Sequence, residues 1–297
     1  MDNIGNVEQL RSQRRQRTEA GGRIVIEEPG GRTIVREQGR VIVRHDESDR
    51  FRRFGDARVE RRGNENYTIF RRPGGVEIVT ITDANGRLLR RIRRGPDRRE
   101  FVLIDNRPRQ RGASIYLNLA EPVINIPRER YIVDVDSASP EMLYETFEAP
   151  PVERVDRAYS LDEIRYNVAV RDRMRRVDIN TINFETGSWE VSPDQAPTLQ
   201  AVAEAIMRVV SRNPDEVFLI EGHTDAVGGD DDNLSLSDRR AASVADILTN
   251  TYQVPPENLV TQGYGEQNLK VQTDGPSREN RRVTARRITP LLKGASR

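Results

Sequence analysis

The sequence predicts a two-domain molecule, an N-terminal all-β antiparallel hairpin module followed by a C-terminal α/β domain of β-α-β-α-β order with a final strand. Three observations carry this expectation. Short β-branched runs alternate with Gly, Asn and Pro turns over residues 21–136. From residue 177 onward, apolar runs of strand length alternate with amphipathic stretches of helix length. Charge is also divided. Residues 1–177 hold 36 Arg and 29 acidic side chains (+7), and residues 178–297 hold 12 basic and 18 acidic ones (−6), which sum to the overall +1. Such a split suggests two halves with different partners.

With 32% charged and 5% aromatic residues among 297, one large core is not expected. No apolar run approaches the ~18–20 residues of a membrane-spanning helix. The first 20 residues are polar and arginine-rich, without the apolar stretch of a signal peptide. The absence of cysteine excludes disulfides and Cys-zinc sites. The sequence points to no cofactor and no resident metal.

Residues 1–20 read as a disordered lead-in. In the module that follows, Ile24-Val25-Ile26 and Thr33-Ile34-Val35 flank Pro29-Gly30-Gly31, and Val41-Ile42-Val43 comes next. Tyr67-Thr68-Ile69-Phe70 and Val76-Glu77-Ile78-Val79 flank a second Pro73-Gly74-Gly75. Asp83-Ala84-Asn85-Gly86 turns into a further strand, and 101–104, 115–117, 123–126 and 131–135 read as more strands of the same module. Val41-Ile42-Val43 is apolar on both sides and requires cover. The stretch 87–99 holds seven Arg and one Asp but no interleaved aromatic rings. It reads as a solvated strand face whose arginines pair with neighbouring acids, not as a nucleic-acid surface.

Residues 137–176 read as a connector with short helices: Ser139-Pro140 is a cap and first-turn signature, and Ser160 with Glu163 fits a capping box. The α/β domain spans 177–290, with a tail over 291–297. Its expected elements are strand 177–184, helix 193–212 with Ser192 and Gln195 as a capping pair, strand 217–222 and helix 236–249 capped by Ser235 or Ser237. Strand 259–263, a short helix near Arg278 and strand 283–288 complete it. Gly222-His223-Thr224-Asp225-Ala226-Val227-Gly228 then lies beyond the carboxyl end of a strand, where α/β sheets bind ligands.

Thr224-Asp225, Gly228, Asn233, Leu236-Ser237 and Arg240-Ala241, followed by Gly263-Tyr264-Gly265-Glu266 and Asn280-Arg281-Arg282-Val283, resemble the signature of the OmpA-like peptidoglycan-binding domain. The resemblance runs over about two-fifths of the chain. It implies binding of the peptidoglycan stem peptide through diaminopimelate, whose distal end is a zwitterion. Asp225 is then the acceptor for the ammonium and Arg240 the planar donor for the carboxylate. Thr224, Asn233 and Leu236 are carried over as further site residues. Arg281 and Arg282 match a motif of that family, and the residues alone do not say which lines the pocket and which braces the fold. His223 reads as a loop-packing residue, and Asp230-Asp231-Asp232 as a solvated turn, since it lacks a calcium-loop pattern.

The expected role is a non-enzymatic anchor between the cell wall and the outer membrane or an envelope partner, in the periplasm of a Gram-negative bacterium. An outer-membrane protein or lipopolysaccharide is the expected partner class for the N-terminal module, with no nucleic acid. The rival is a targeting domain of a wall-modifying enzyme or envelope assembly. It is disfavoured because the first half holds one His (His45), no Cys and no nucleophile motif.

Overall fold

The computed structural model describes residues 4–37, 39–107 and 114–294, and three sheets organise them. Helix α1 (Val7–Arg11) precedes a four-stranded antiparallel meander, β1 (Arg15–Thr18), β2 (Ile24–Glu28), β3 (Arg32–Glu37) and β4 (Arg40–His45). Helix α2 (Asp49–Arg53) leads into a five-stranded meander, β5 (Ala57–Arg62), β6 (Glu65–Arg71), β7 (Glu77–Asp83), β8 (Leu88–Arg94) and β9 (Glu100–Asp105). The chain continues through α3 (Arg128–Tyr131), β10 (Ile132–Asp134), α4 (Pro140–Glu148), α5 (Leu161–Tyr166) and α6 (Val168–Arg171). Then come β11 (Arg176–Ile179), α7 (Gln200–Arg212), β12 (Phe218–Gly222), α8 (Asp230–Asn250), β13 (Leu259–Gly263), β14 (Val283–Arg287) and α9 (Thr289–Lys293). The third sheet has the order β10-β11-β14-β12-β13, with β14 antiparallel to both neighbours and the remaining pairs parallel.

This third sheet is covered on both faces, which is why consecutive residues of its inner strand β12 are apolar from Phe218 to Ile220. Phe218 and Ile220 share one core with Val177 and Val283, with Val202 and Ile206 of α7, Val244 and Leu248 of α8, and Phe147 of α4. The alternate residues Val217 and Leu219, with Val260, join a second core with Leu161 and Ile164 of α5 and with Leu88, Leu103 and Ile104 of the second meander. The first meander finds its cover in the same way. Ile26, Ile34 and Val43 stand directly opposite one another across β2, β3 and β4 and pack on Leu234 of α8. Helix α8 in turn lies against β12 and β13. A Cβ on Gly222 would stand 1.9 Å from the Ser237 carbonyl oxygen, and one on Gly263 2.3 Å from the Asp238 nitrogen. Only glycine permits that approach.

The divided charge is therefore largely internal. Arg32 pairs with Asp238 at 2.9 Å, Arg36 with Asp231 at 2.8 Å, Arg72 with Glu257 at 2.6 Å and Arg93 with Asp215 at 2.7 Å. Between the halves Glu47 is buried against Arg165 and Arg91, and Arg91 also donates to the Leu259 carbonyl at 3.0 Å. The arginine-rich stretch 87–99 pairs with acids, as expected, but several of those acids lie beyond the sheet: Arg87 reaches Asp162 and Arg93 reaches Asp215.

Several expectations are corrected. The lead-in is structured over its described part. Asn6 caps α1, Val7 and Leu10 are buried, and β1 pairs with β2, because long-range contacts supply what local composition lacks. Segments 115–117 and 123–126 form no strand; Val123 and Ile124 are exposed, and Pro122 and Pro127 flank the latter segment. The strand near 131–135 exists but joins β11, not the first module, so the boundary at 136 divides the third sheet. The 137–176 stretch is no loose connector, since Leu143, Phe147, Leu161 and Ile164 are core residues. Leu291 of the supposed tail is also core. Residues 193–199 form a 3-10 turn before α7, with Pro197 inside it. Ser192 makes no capping bond, and Gln195 instead accepts from the Asn183 nitrogen at 2.6 Å. Helix α8 begins at Asp230 behind Gly229, so Ser235 and Ser237 lie inside it, and residues 278–280 form a turn.

Candidate functional site

The loop from β12 to α8 is held from below by its backbone. His223 N donates to the Arg282 carbonyl at 3.0 Å and Thr224 N to the Gly265 carbonyl at 3.0 Å. His223 is buried and stacked on Tyr264, ring centroids 5.6 Å apart. Burial, with Arg282 and Arg176 nearby, pushes its pKa well below the usual range, so the ring is neutral. This packing role agrees with the sequence reading. Thr224 is buried, and its Oγ1 has no partner among the described residues.

Asp225 accepts at Oδ2 from Arg281 Nη1 at 2.6 Å and from Ser277 N at 3.2 Å. Its cationic partner is thus Arg281, half exposed, and not Arg240. Arg282 is buried and donates to the carbonyls of Asn280 and Asn268 at 3.3 and 3.1 Å, which makes it the brace. Arg281 thus reaches the Asp225 carboxylate, and Arg282 reaches backbone carbonyls.

Arg240 projects from α8 and is 4% exposed. Its Nε donates to the Ser188 carbonyl at 3.0 Å and its Nη2 to the Glu185 carbonyl at 3.4 Å, while the guanidinium lies 4.6 Å from the Phe184 ring centroid. Burial first, and then the neighbouring Arg281, lower its pKa to about 10, with Asp225 opposing. Carbonyls hold this cation without neutralising it. Among the described residues no ion pair joins Asp225 to Arg240, so they do not serve as a strand-to-helix tie.

Asn233 donates from Nδ2 to Glu266 at 2.8 Å and to the Asp225 carbonyl at 3.4 Å, which fixes the loop. Leu236 turns away from the charged pair and packs with Val7 and Trp189. The structure thus brings Thr224, Asp225, Asn233 and Arg240 to one strand end and places Leu236 in a supporting cluster. Sequence reasoning missed Phe184, Glu185, Ser188 and Ser277, whose contributions are backbone groups or a ring face and leave no spacing signal.

The acidic run is also corrected. Asp230, Asp231 and Asp232 form the first turn of α8, a favourable place for negative charge. Asp232 pairs with Arg14 and Arg11, each at 2.5 Å, and Asp231 pairs with Arg36.

Among the described residues no cluster of His, Cys, Asp and Glu is placed to hold a metal, and no helix is long and apolar enough to cross a membrane. Residues 183–282 match the family model described as the OmpA family. The peptidoglycan-associated lipoprotein of Agrobacterium fabrum is 36% identical over 86 residues, covering 29% of this chain and 46% of that protein. Outer membrane porin F of Pseudomonas aeruginosa is 40% identical over 73 residues, covering 25% of this chain and 20% of that protein. The match therefore spans less than half of either relative. Among solved structures, the peptidoglycan-associated lipoprotein from Burkholderia pseudomallei aligns at 23% identity with a TM-score of 0.30, covering 36% of this chain and 87% of that one. Residues 183–282, which carry the Asp225 loop and Arg240, form an OmpA-like domain in the C-terminal region of this chain.

Proposed function

We propose that the chain is a non-enzymatic peptidoglycan-binding protein of the cell envelope that grips the diaminopimelate of the stem peptide and anchors the outer membrane or an envelope partner to the wall. The observation that carries this reading is the arrangement of Asp225 and Arg240. A carboxylate and a guanidinium stand at one strand end, and the guanidinium is held by carbonyls in place of an acid. A zwitterion needs such a pair. Its ammonium displaces Arg281 from Asp225, and its carboxylate takes Nη1 of Arg240, which makes no hydrogen bond among the described residues. The OmpA-family match and the names of the relatives support the polymer class. The reading places the protein in the periplasm, against wall and outer membrane. Affinity at one site need not be high, because a polymer offers many sites.

Co-sedimentation of the full chain with purified sacculi tests this. Wild type is expected in the pellet, and Asp225→Ala and Arg240→Ala in the supernatant with unchanged circular dichroism. Equal pelleting of all three proteins would reject the site.

A further inference from the structure

A second cleft of about 510 Å³ opens on the other side of Glu266, the residue that accepts from Asn233. Its volume is that of a small-molecule site. One wall comes from the OmpA-like domain, through Tyr264, Glu266 and the start of α8; the other comes from the N-terminal module, through Arg40, Ile42 and Tyr116. A lone OmpA-like domain would lack that second wall.

Three arginines, Arg40, Arg165 and Arg171, line the cleft against two acids. Tyr264 is 4% exposed, its hydroxyl has no hydrogen-bond partner among the described residues, and burial raises its pKa, so it keeps its proton. A buried hydroxyl without a partner is costly and is rare unless something else satisfies it. Arg171 lies with its guanidinium 4.0 Å from the Tyr264 ring centroid and is held there by Glu221, 3.4 Å from its Nε, so it fixes the ring and leaves the hydroxyl as the open donor. At the mouth, Arg40 is exposed, stacks 4.0 Å from the Tyr116 ring centroid and makes no ion pair among the described residues. A fixed donor inside and an exposed cation at the rim suit an anionic acceptor. The two acids present, Asp230 and Glu266, sit toward the α8 end, and Glu266 is occupied by Asn233.

Resting on the diaminopimelate reading, we propose that this cleft is a second wall-binding subsite, which takes the free carboxylate flanking the diamino acid in the stem peptide. The neighbouring stem residue is a γ-linked glutamate, whose α-carboxylate stays free unless it is amidated. Asn233 links the two places, since it donates both to the Asp225 carbonyl and to Glu266 at the edge of the cleft. On this inference the N-terminal module extends the wall-binding surface, in contrast to the separate outer-membrane partner expected from its charge.

The test titrates two soluble tripeptides into the full chain, L-Ala-γ-D-Glu-diaminopimelate and its analogue with the α-carboxylate amidated. Wild type is expected to prefer the free acid by about tenfold, the scale of a lost hydrogen bond to a charged group. Arg40→Ala and Tyr264→Phe are each expected to reduce that preference to about threefold or less by weakening the free acid more than the amidated peptide. Tyr264→Phe keeps the ring stack and removes only the unpartnered hydroxyl, so its melting temperature is expected to hold or rise. Equal wild-type affinities for the two peptides would overturn the subsite and leave the diaminopimelate site standing. An unaltered preference in both variants would place the carboxylate elsewhere and also overturn it. If neither peptide bound, the proposed function would fail as well.

Discussion

Arg240 Nε donates to the carbonyl of Ser188 at 3.0 Å, and Ser188 is itself bridged in antiparallel fashion to Asn6. The cation of the proposed site is thus positioned by a loop that the N-terminal segment straps down. Val7 N donates to the Gly187 carbonyl at 3.0 Å, Val7 packs with Trp189 and Leu236, and Arg11 and Arg14 clamp Asp232. Val7→Asp places a charge in that small apolar cluster and should release the strap, at a cost of about 1–3 kcal/mol. Trp189 is the single tryptophan, so its emission reports the event. We expect a red shift together with weaker stem-peptide binding. An unshifted spectrum would show that the strap does not govern the loop.

Two histidines set opposite pH dependences. His45 lies between Asp238, 3.1 Å from Nδ1, and Glu47, 3.2 Å from Nε2. Arg32 stands behind Asp238, and Arg165 and Arg91 behind Glu47. Burial opposes the charge, but the two carboxylates outweigh it and raise the His45 pKa above 6.5. Its stabilising contribution is full below pH 6.5 and is lost as pH rises through the raised value. His223 is the reverse case. Its folded pKa is depressed, so the unfolded chain binds the extra proton and stability falls as pH drops below 6.5. Urea unfolding from pH 5 to 9 should show His45→Gln flattening the alkaline limb and His223→Gln the acid limb. The opposite assignment would refute both protonation states.

The interface between the halves should be as costly to open as a core. Glu47→Ala leaves Arg91 and Arg165 buried without their shared anion, a loss of about 3–5 kcal/mol. The isolated segment 177–297 would bare Val217, Leu219 and Val260, which pack on α5 and the second meander. Dye binding and aggregation are expected of that segment, and a monomeric, cooperatively melting fragment would contradict this.

What was legible in the sequence follows from range. The strand 217–222 could be read because apolar residues facing two cores leave a continuous run, and Asp225 and Arg240 could be read because a short loop and helix fix their spacing. Asp232 was misread as solvated because its partner Arg14 lies 218 residues away. The charge split was visible, but not where its charges pair. Opposite net charges fit separate partners as well as an internal interface, and pairs such as Arg32–Asp238 between the halves leave no signal in the local sequence. Strand β10 was read as a strand but assigned to the wrong sheet, because three residues, Ile132–Asp134, carry no signal of which partner they pair with.

The sharpest prediction concerns the type of wall. Lysine-type stem peptides keep the distal ammonium that Asp225 accepts but lack the adjacent carboxylate. Arg240, already buried and tied to the carbonyls of Ser188 and Glu185, would then face no anion. Loss of that charged hydrogen bond should cost about one to two decades in affinity. Arg240→Ala should weaken binding of the diaminopimelate peptide and largely erase the discrimination. Asp225→Ala should weaken both peptides, since both carry the ammonium. Arg240→Lys should not restore binding, because an ammonium cannot hold two carbonyls along one edge and present a further planar donor to the ligand. Arg281→Ala separates this from simple charge effects. Removing the residue that occupies Asp225 should leave the discrimination intact and tighten binding of both peptides, because the ligand ammonium no longer displaces a 2.6 Å ion pair. Titration of both peptides against these four variants by calorimetry, with circular dichroism to confirm folding, provides the measurement. Equal wild-type affinity for the two peptide types would end the zwitterion clamp even if the protein still sedimented with cell walls.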